Sequence, residues 1–81
     1  MITNLDIGIP TNLDNSKYIF NYLKENYECN DWGMGFGFYS VLLTFDNVED
    51  AKLTIQELKE EFNINFDNES ETEPYYSIYE N

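Results

Sequence analysis

Residues 36–62 read FGFYSVLLTF-DN-VEDAKLTIQELKEEF, and a strand pattern gives way to a helix pattern inside them. Phe36 to Phe45 is aromatic and β-branched along its length, which predicts a strand placed centrally in a sheet. Asn47-Val-Glu-Asp50 is a capping start, so a helix is expected over Val48 to Phe62. At about 100° per residue, Val48, Ala51, Ile55, Leu58 and Phe62 fall within an arc of about 80° that must face a core. Glu49, Asp50, Glu57, Glu60 and Glu61 fill an opposite arc of about 120°, with Leu53 inside it and Lys52 and Lys59 flanking the core face. A strand leading into an amphipathic helix with one strongly acidic side is the unit around which the chain is organised.

Upstream, Thr3, Leu5, Ile7 and Ile9 alternate with Asn4, Asp6 and Gly8, the pattern of a half-buried strand, and Pro10 ends it. Asp14, Asn15 and Ser16 offer N-caps for a helix over Lys17 to Tyr27, with Ile19, Phe20, Leu23 and Tyr27 on one face. A short strand is expected over Glu28 to Trp32, and Gly33-Met-Gly supplies a turn. Downstream, Asn63-Ile-Asn-Phe66 alternates like another strand, Asp67 to Glu73 is a polar acidic linker, and Pro74 to Tyr79 reads as an edge strand. Tyr76 and Ile78 are expected to point inward there, with Tyr75 and Tyr79 outside. The order predicts one α+β domain over residues 1–81, a ferredoxin-like β-α-β-β-α-β layer with an extra C-terminal edge strand.

The chain carries 16 Asp and Glu against 4 lysines, with no arginine and no histidine, for a net charge of −12. Solubility of a small domain asks for only about 2–8 charges, and the excess works against compaction. Eleven of the acids lie between Asp46 and Glu80 against Lys52 and Lys59 alone, so the charge is local. Seven Tyr, six Phe and one Trp exclude a disordered acidic tail. A domain of this size has a stability of about 4–12 kcal/mol. Cys29 is the only cysteine, which excludes an internal disulfide and fits a reducing cytosol. No apolar run is long enough to span a membrane, an anionic membrane surface would repel the chain, and Met1-Ile-Thr-Asn-Leu-Asp is not the start of a secretory leader. The expected location is the cytoplasm.

Little in the sequence points to catalysis. Histidine, the commonest general base, is missing, and without arginine no bidentate phosphate clamp can be built. Glu28 and Asp31 beside Cys29 disfavour its thiolate. Asp67, Glu69, Glu71 and Glu73 alternate like the first ligands of a calcium loop, but Thr72 stands where the turn glycine belongs and Ile78 where the bidentate glutamate belongs. No enzyme, metal or cofactor is expected. In an extended linker these four acids would project carboxylates about every 6.7 Å along one edge.

Met34-Gly-Phe-Gly-Phe38 resembles the RNP1 core of RNA-recognition motifs, and Phe45-Asp-Asn-Val-Glu-Asp-Ala51 resembles that family's strand-to-helix passage. The resemblance implies a sheet that stacks RNA bases. It departs from the family in having Met34 at the basic position, a spacing about four residues too long, and no aromatic in the first strand. A charge of −12 also opposes phosphate, so core packing is the expectation for Phe36 and Phe38, without direct nucleic-acid binding.

In overall character the chain resembles the small acidic proteins of phages and mobile elements that inhibit nucleic-acid enzymes, namely DNA mimics, anti-CRISPR proteins and nuclease inhibitors. It is also similar in size and charge to bacterial immunity proteins that neutralise basic nuclease toxins. The first resemblance implies an inhibitor that occupies the basic nucleic-acid groove of a nuclease or CRISPR effector in a bacterial host. The second implies a single toxin as partner, and an RNA-recognition-type module is the third alternative. The expected partner-binding residues are Glu49, Asp50, Leu53, Glu57, Glu60 and Glu61, with Asp67, Glu69, Glu71 and Glu73 as a second patch beside Tyr75 and Tyr79.

Overall fold

In the computed structural model, which describes residues 2–80, six elements follow one another: β1 (Thr3–Pro10), α1 (Ser16–Asn26), β2 (Cys29–Gly35), β3 (Phe38–Phe45), α2 (Val48–Phe62) and β4 (Tyr75–Glu80). The four strands form one antiparallel sheet in the order β2-β3-β1-β4. The architecture is therefore α+β, two helices on a four-stranded antiparallel sheet, compatible with a ferredoxin-like layout.

Registration fixes the two faces of the sheet. Leu5 pairs with Leu43 and Ile78, and Ile7 with Val41 and Tyr76, so these side chains share the face that the helices cover. Leu5, Ile7, Ile9, Val41 and Leu43 are buried there against Ile19, Phe20 and Leu23 of α1 and Ala51, Ile55 and Leu58 of α2. The periodicity of α2 holds, with Thr54 added to its buried side; in α1 Ile19, Phe20 and Leu23 are buried with Ser16, while Tyr27 lies beyond the helix in extended backbone and Asn15, at the N-cap, makes no side-chain capping bond. Asn47 caps α2 through its side-chain oxygen, which accepts from the Asp50 N–H at 2.8 Å. Tyr76 and Ile78 pack inward as their alternation predicts, and β4 is an edge strand.

Five expectations are corrected. β1 is buried on both faces rather than half-buried, since Asn4, Gly8 and Pro10 are buried along with Thr3, Leu5, Ile7 and Ile9, and only Asp6 is partly exposed. Asn63 to Phe66 is not a strand. Asn63 takes the left-handed C-cap position of α2 (φ 55°), and Ile64 then drops into the core, so the alternation reflects core filling rather than pairing. Tyr75–Glu80 occupies the place beside β1, and no fifth strand exists among the described residues.

Gly33-Met-Gly is not a turn but runs within β2. The turn is Phe36-Gly37, closed by the Gly35–Phe38 pair, with positive φ at both positions (55° and 81°). That is the two-residue geometry whose twist matches flanking strands, and glycine supplies it without strain at Gly37. Phe36 is accordingly fully exposed at the hairpin tip instead of in the core, and Phe38 is half-buried against Tyr75, ring centroids 5.4 Å apart.

The acidic linker is not extended. Asp67 Oδ1 accepts from the Glu69 N–H at 3.1 Å, the Asp67 carbonyl from the Ser70 N–H at 3.2 Å, and Ser70 Oγ from the Thr72 N–H at 3.2 Å. Short polar side chains offering the backbone local partners curl a segment, so no regular 6.7 Å row of carboxylates forms.

Candidate partner-binding surface

The outer side of α2 carries Glu49, Asp50, Glu57, Glu60 and Glu61, all exposed. Leu53 stands among them, 58% exposed. It lies three or four positions from Glu49, Asp50 and Glu57, the spacing at which helix side chains are neighbours. The hydrogen bonds these carboxylates accept come from neutral groups: Tyr27 Oη to Glu57 at 3.4 Å, Asn47 to Asp50 at 3.3 Å, and Gln56 to Glu60 at 2.8 Å. Burial, then the nearby Tyr22 and Glu57, push the Tyr27 hydroxyl up to about 12, so it stays a neutral donor. The negative charge of the helix is thus presented to solvent around a single apolar side chain.

The other expected residues lie elsewhere. Asp67, Glu69, Glu71 and Glu73 are exposed on the curled loop that borders β4, held there by the Asp67 N–H on the Pro74 carbonyl (2.8 Å) and Asn68 Oδ1 on the Tyr76 N–H (2.9 Å). Tyr75 and Tyr79 project from the sheet face away from the helices, cross-strand from Gly8 and Asn4. The Tyr75 ring lies over Gly8 so closely that a Cβ there would overlap it, which explains the glycine in an otherwise bulky strand. The twelve residues therefore form no single surface, because the acidic arc of α2 and the tyrosine pair are on opposite sides of the sheet.

That open face holds a feature the linear sequence concealed. Asp31, Leu42, Asp6 and Ser77 form one cross-strand row over all four strands. A pocket of about 180 Å³ lies along it, lined by Asp6, Asp31, Ser40, Leu42, Trp32 and Tyr79. Burial alone raises the Asp6 carboxyl above its ordinary 3.8. An acid raised in the folded state binds its proton more tightly there than in the unfolded chain. Stability therefore falls as pH climbs from the ordinary value through the raised one, and it stays lowered at neutral pH. Asp6→Asn is expected to raise Tm by a few degrees at pH 7 and to flatten the acid side of the stability profile, measured by thermal denaturation between pH 3 and 8.

Burial also raises the Cys29 thiol, which sits 3.3 Å from the Asp31 carbonyl and is not activated as a nucleophile. No group of side chains suited to a metal ion occurs among the described residues, nor any helix long and apolar enough to cross a membrane. None of the family models, curated proteins or solved structures compared with the chain matches it.

Proposed function

We propose that this chain is an acidic inhibitor that binds and blocks the basic nucleic-acid-binding surface of a host defence nuclease, such as a CRISPR effector, in the cytoplasm of a bacterial cell. The layout is read as ferredoxin-like, with the sheet serving as the platform that holds α2 rigid. The observation that carries the proposal is the outer side of α2, where five carboxylates are exposed, Glu49, Asp50 and Glu57 lie one turn from exposed Leu53, and the side-chain hydrogen bonds accepted by Asp50, Glu57 and Glu60 come from neutral donors.

A nucleic-acid groove is lined with lysine and arginine matched to the dense phosphates of its ligand. A fixed array of carboxylates is attracted to the same groove and speeds encounter, while an apolar anchor inside a charged rim adds short-range contact. Helix geometry matters here because the backbone that carries the carboxylates is already ordered, so only their side-chain rotamers are fixed at the moment of binding. The carboxylates Asp6 and Asp31 on the open sheet face further support a protein partner over RNA, since any base stacked there would bring its phosphates toward two negative charges.

Affinity capture on the immobilised chain from the source cell's lysate tests the proposal. The expected catch is a basic nucleic-acid enzyme that 0.5 M salt releases. Recovery of only neutral or acidic proteins contradicts it.

A further inference from the structure

The two edges of the sheet are finished differently. On β4, the outward Tyr76 N–H is taken by Asn68, and the acidic loop of residues 67–73 borders the strand, the kind of protection that keeps an edge from pairing with another chain. On β2 the protection is confined to the N-terminal half, where the register breaks between Cys29 and Asp31 and the Asp31 carboxylate takes the Trp32 N–H, and no loop borders the strand from Gly33 to Gly35 among the described residues. Gly35 and Phe38 close a two-residue hairpin and bond to each other, so Gly33 and Gly35 direct their backbone groups inward. Trp32 and Met34 then direct theirs outward. The Trp32 N–H confirms the phase, because it leaves the ladder and donates to the Asp31 carboxylate at 2.9 Å. β2 has neither lysine nor proline to discourage pairing.

The side chains along this edge are sorted by face. Trp32 and Met34 lie on the helix side, cross-strand from Val41 and Tyr39, yet they are 59% and 71% exposed. Lys24 covers part of Trp32, its Nζ 4.2 Å from the ring centroid. On the opposite face, Asp31 stands at the rim of the pocket that also holds Asp6. A strand laid against β2 would alternate between these two environments, one apolar and aromatic, the other anionic.

We propose that the free edge of β2 is a strand-addition site for an extended segment of a basic partner protein, in which apolar side chains alternate with arginine or lysine. The inference rests on the preceding proposal for the sign of the partner's charge, but it uses a different surface. Backbone pairing at the N–H and carbonyl of Met34 and at the Trp32 carbonyl supplies affinity, the apolar set packs on Trp32 and Met34, and a cationic head meets Asp31 at the pocket. Arginine suits that position best, since its planar guanidinium pairs with a carboxylate and stacks on an aromatic ring.

The test is an NMR titration of the isotopically labelled chain with the peptide Ac-Arg-Val-Arg-Val-Arg-Val-Arg-NH2. Amide signals from Cys29 to Gly35 are expected to shift, and the Met34 amide to exchange with solvent at least tenfold more slowly. Met34→Lys and Asp31→Asn should each weaken binding at least tenfold, while Met34→Leu retains it; unchanged signals elsewhere report that these exposed sites do not disturb folding. Shifts confined to α2 and residues 67–73 would overturn the proposal. So would equal binding of a peptide whose pairing N–H groups are methylated, or β2 signals that move with the chain's own concentration before peptide is added, which would make a second copy the occupant. Failure of the lysate capture leaves the peptide result standing, and failure here leaves the α2 surface untouched, so the two proposals fail separately.

Discussion

Ile7→Ala is expected to lower Tm by about 8–40 °C and to leave a substantial unfolded fraction at 37 °C. Ile7 is fully buried in β1, one of the two central strands, between Val41 and Tyr76 and beneath both helices. Truncating a buried isoleucine to alanine costs about 2–5 kcal/mol, because the transfer energy of the lost carbons is joined by the cavity they leave. The whole domain has only about 4–12 kcal/mol to lose, and in a chain of this length each kcal/mol moves Tm by roughly 4–8 °C. Ile7→Val at the same site should cost about 0.5–1.5 kcal/mol. Leu53→Ala on the outside of α2 should change stability by less than about 0.5 kcal/mol. Thermal and urea denaturation of the three variants measure the ranking. A Leu53→Ala loss as large as that of Ile7→Ala would mean that Leu53 is packed rather than presented.

Replacing Glu57, Glu60 and Glu61 together by lysine is expected to weaken binding to the captured basic partner at least about 100-fold, since like charges brought together at an interface cost several kcal/mol. The fold should survive. All three positions are exposed, and the only side-chain bonds lost are those from Gln56 to Glu60 and the long one from Tyr27 to Glu57. Lysine is a good helix former, and cations near a helix C-terminus interact favourably with its dipole, so Tm should stay level or rise. The change also reduces the net charge of −12 by half, relieving self-repulsion. Titration calorimetry and a melting curve on the same sample separate the two effects. The parallel reversal of Glu69, Glu71 and Glu73 tests the loop patch, and a loss confined to that variant would move the contact from α2 to the β4 border.

What the sequence revealed and what it hid divide along physical lines. Period-two alternation in β1 and the 3.6-residue period of α2 are properties of single segments, and both core faces were legible, as was the exposure of Leu53. Turn placement was not. Glycines at 33, 35 and 37 each signal a turn, and only the pairing of β2 with β3 selects Phe36-Gly37, at the cost of a phenylalanine in left-handed backbone. Ile64 and Phe66 alternate like a strand because both pack toward the core, while the cap at Asn63 breaks the direction a ladder would need. The row Asp31-Leu42-Asp6-Ser77 joins residues up to 71 positions apart, so it exists only through register. Its one sequence clue was Asp6 on the polar side of the β1 alternation.

On the proposed mechanism, this chain and nucleic acid exclude each other from one basic groove. Inhibition of the purified captured enzyme, measured over a series of nucleic-acid concentrations at fixed ionic strength, tests it most directly. The apparent inhibition constant is predicted to rise in proportion to the nucleic-acid concentration once the enzyme is saturated. A constant independent of nucleic acid, with the enzyme binding both at once, would contradict the account.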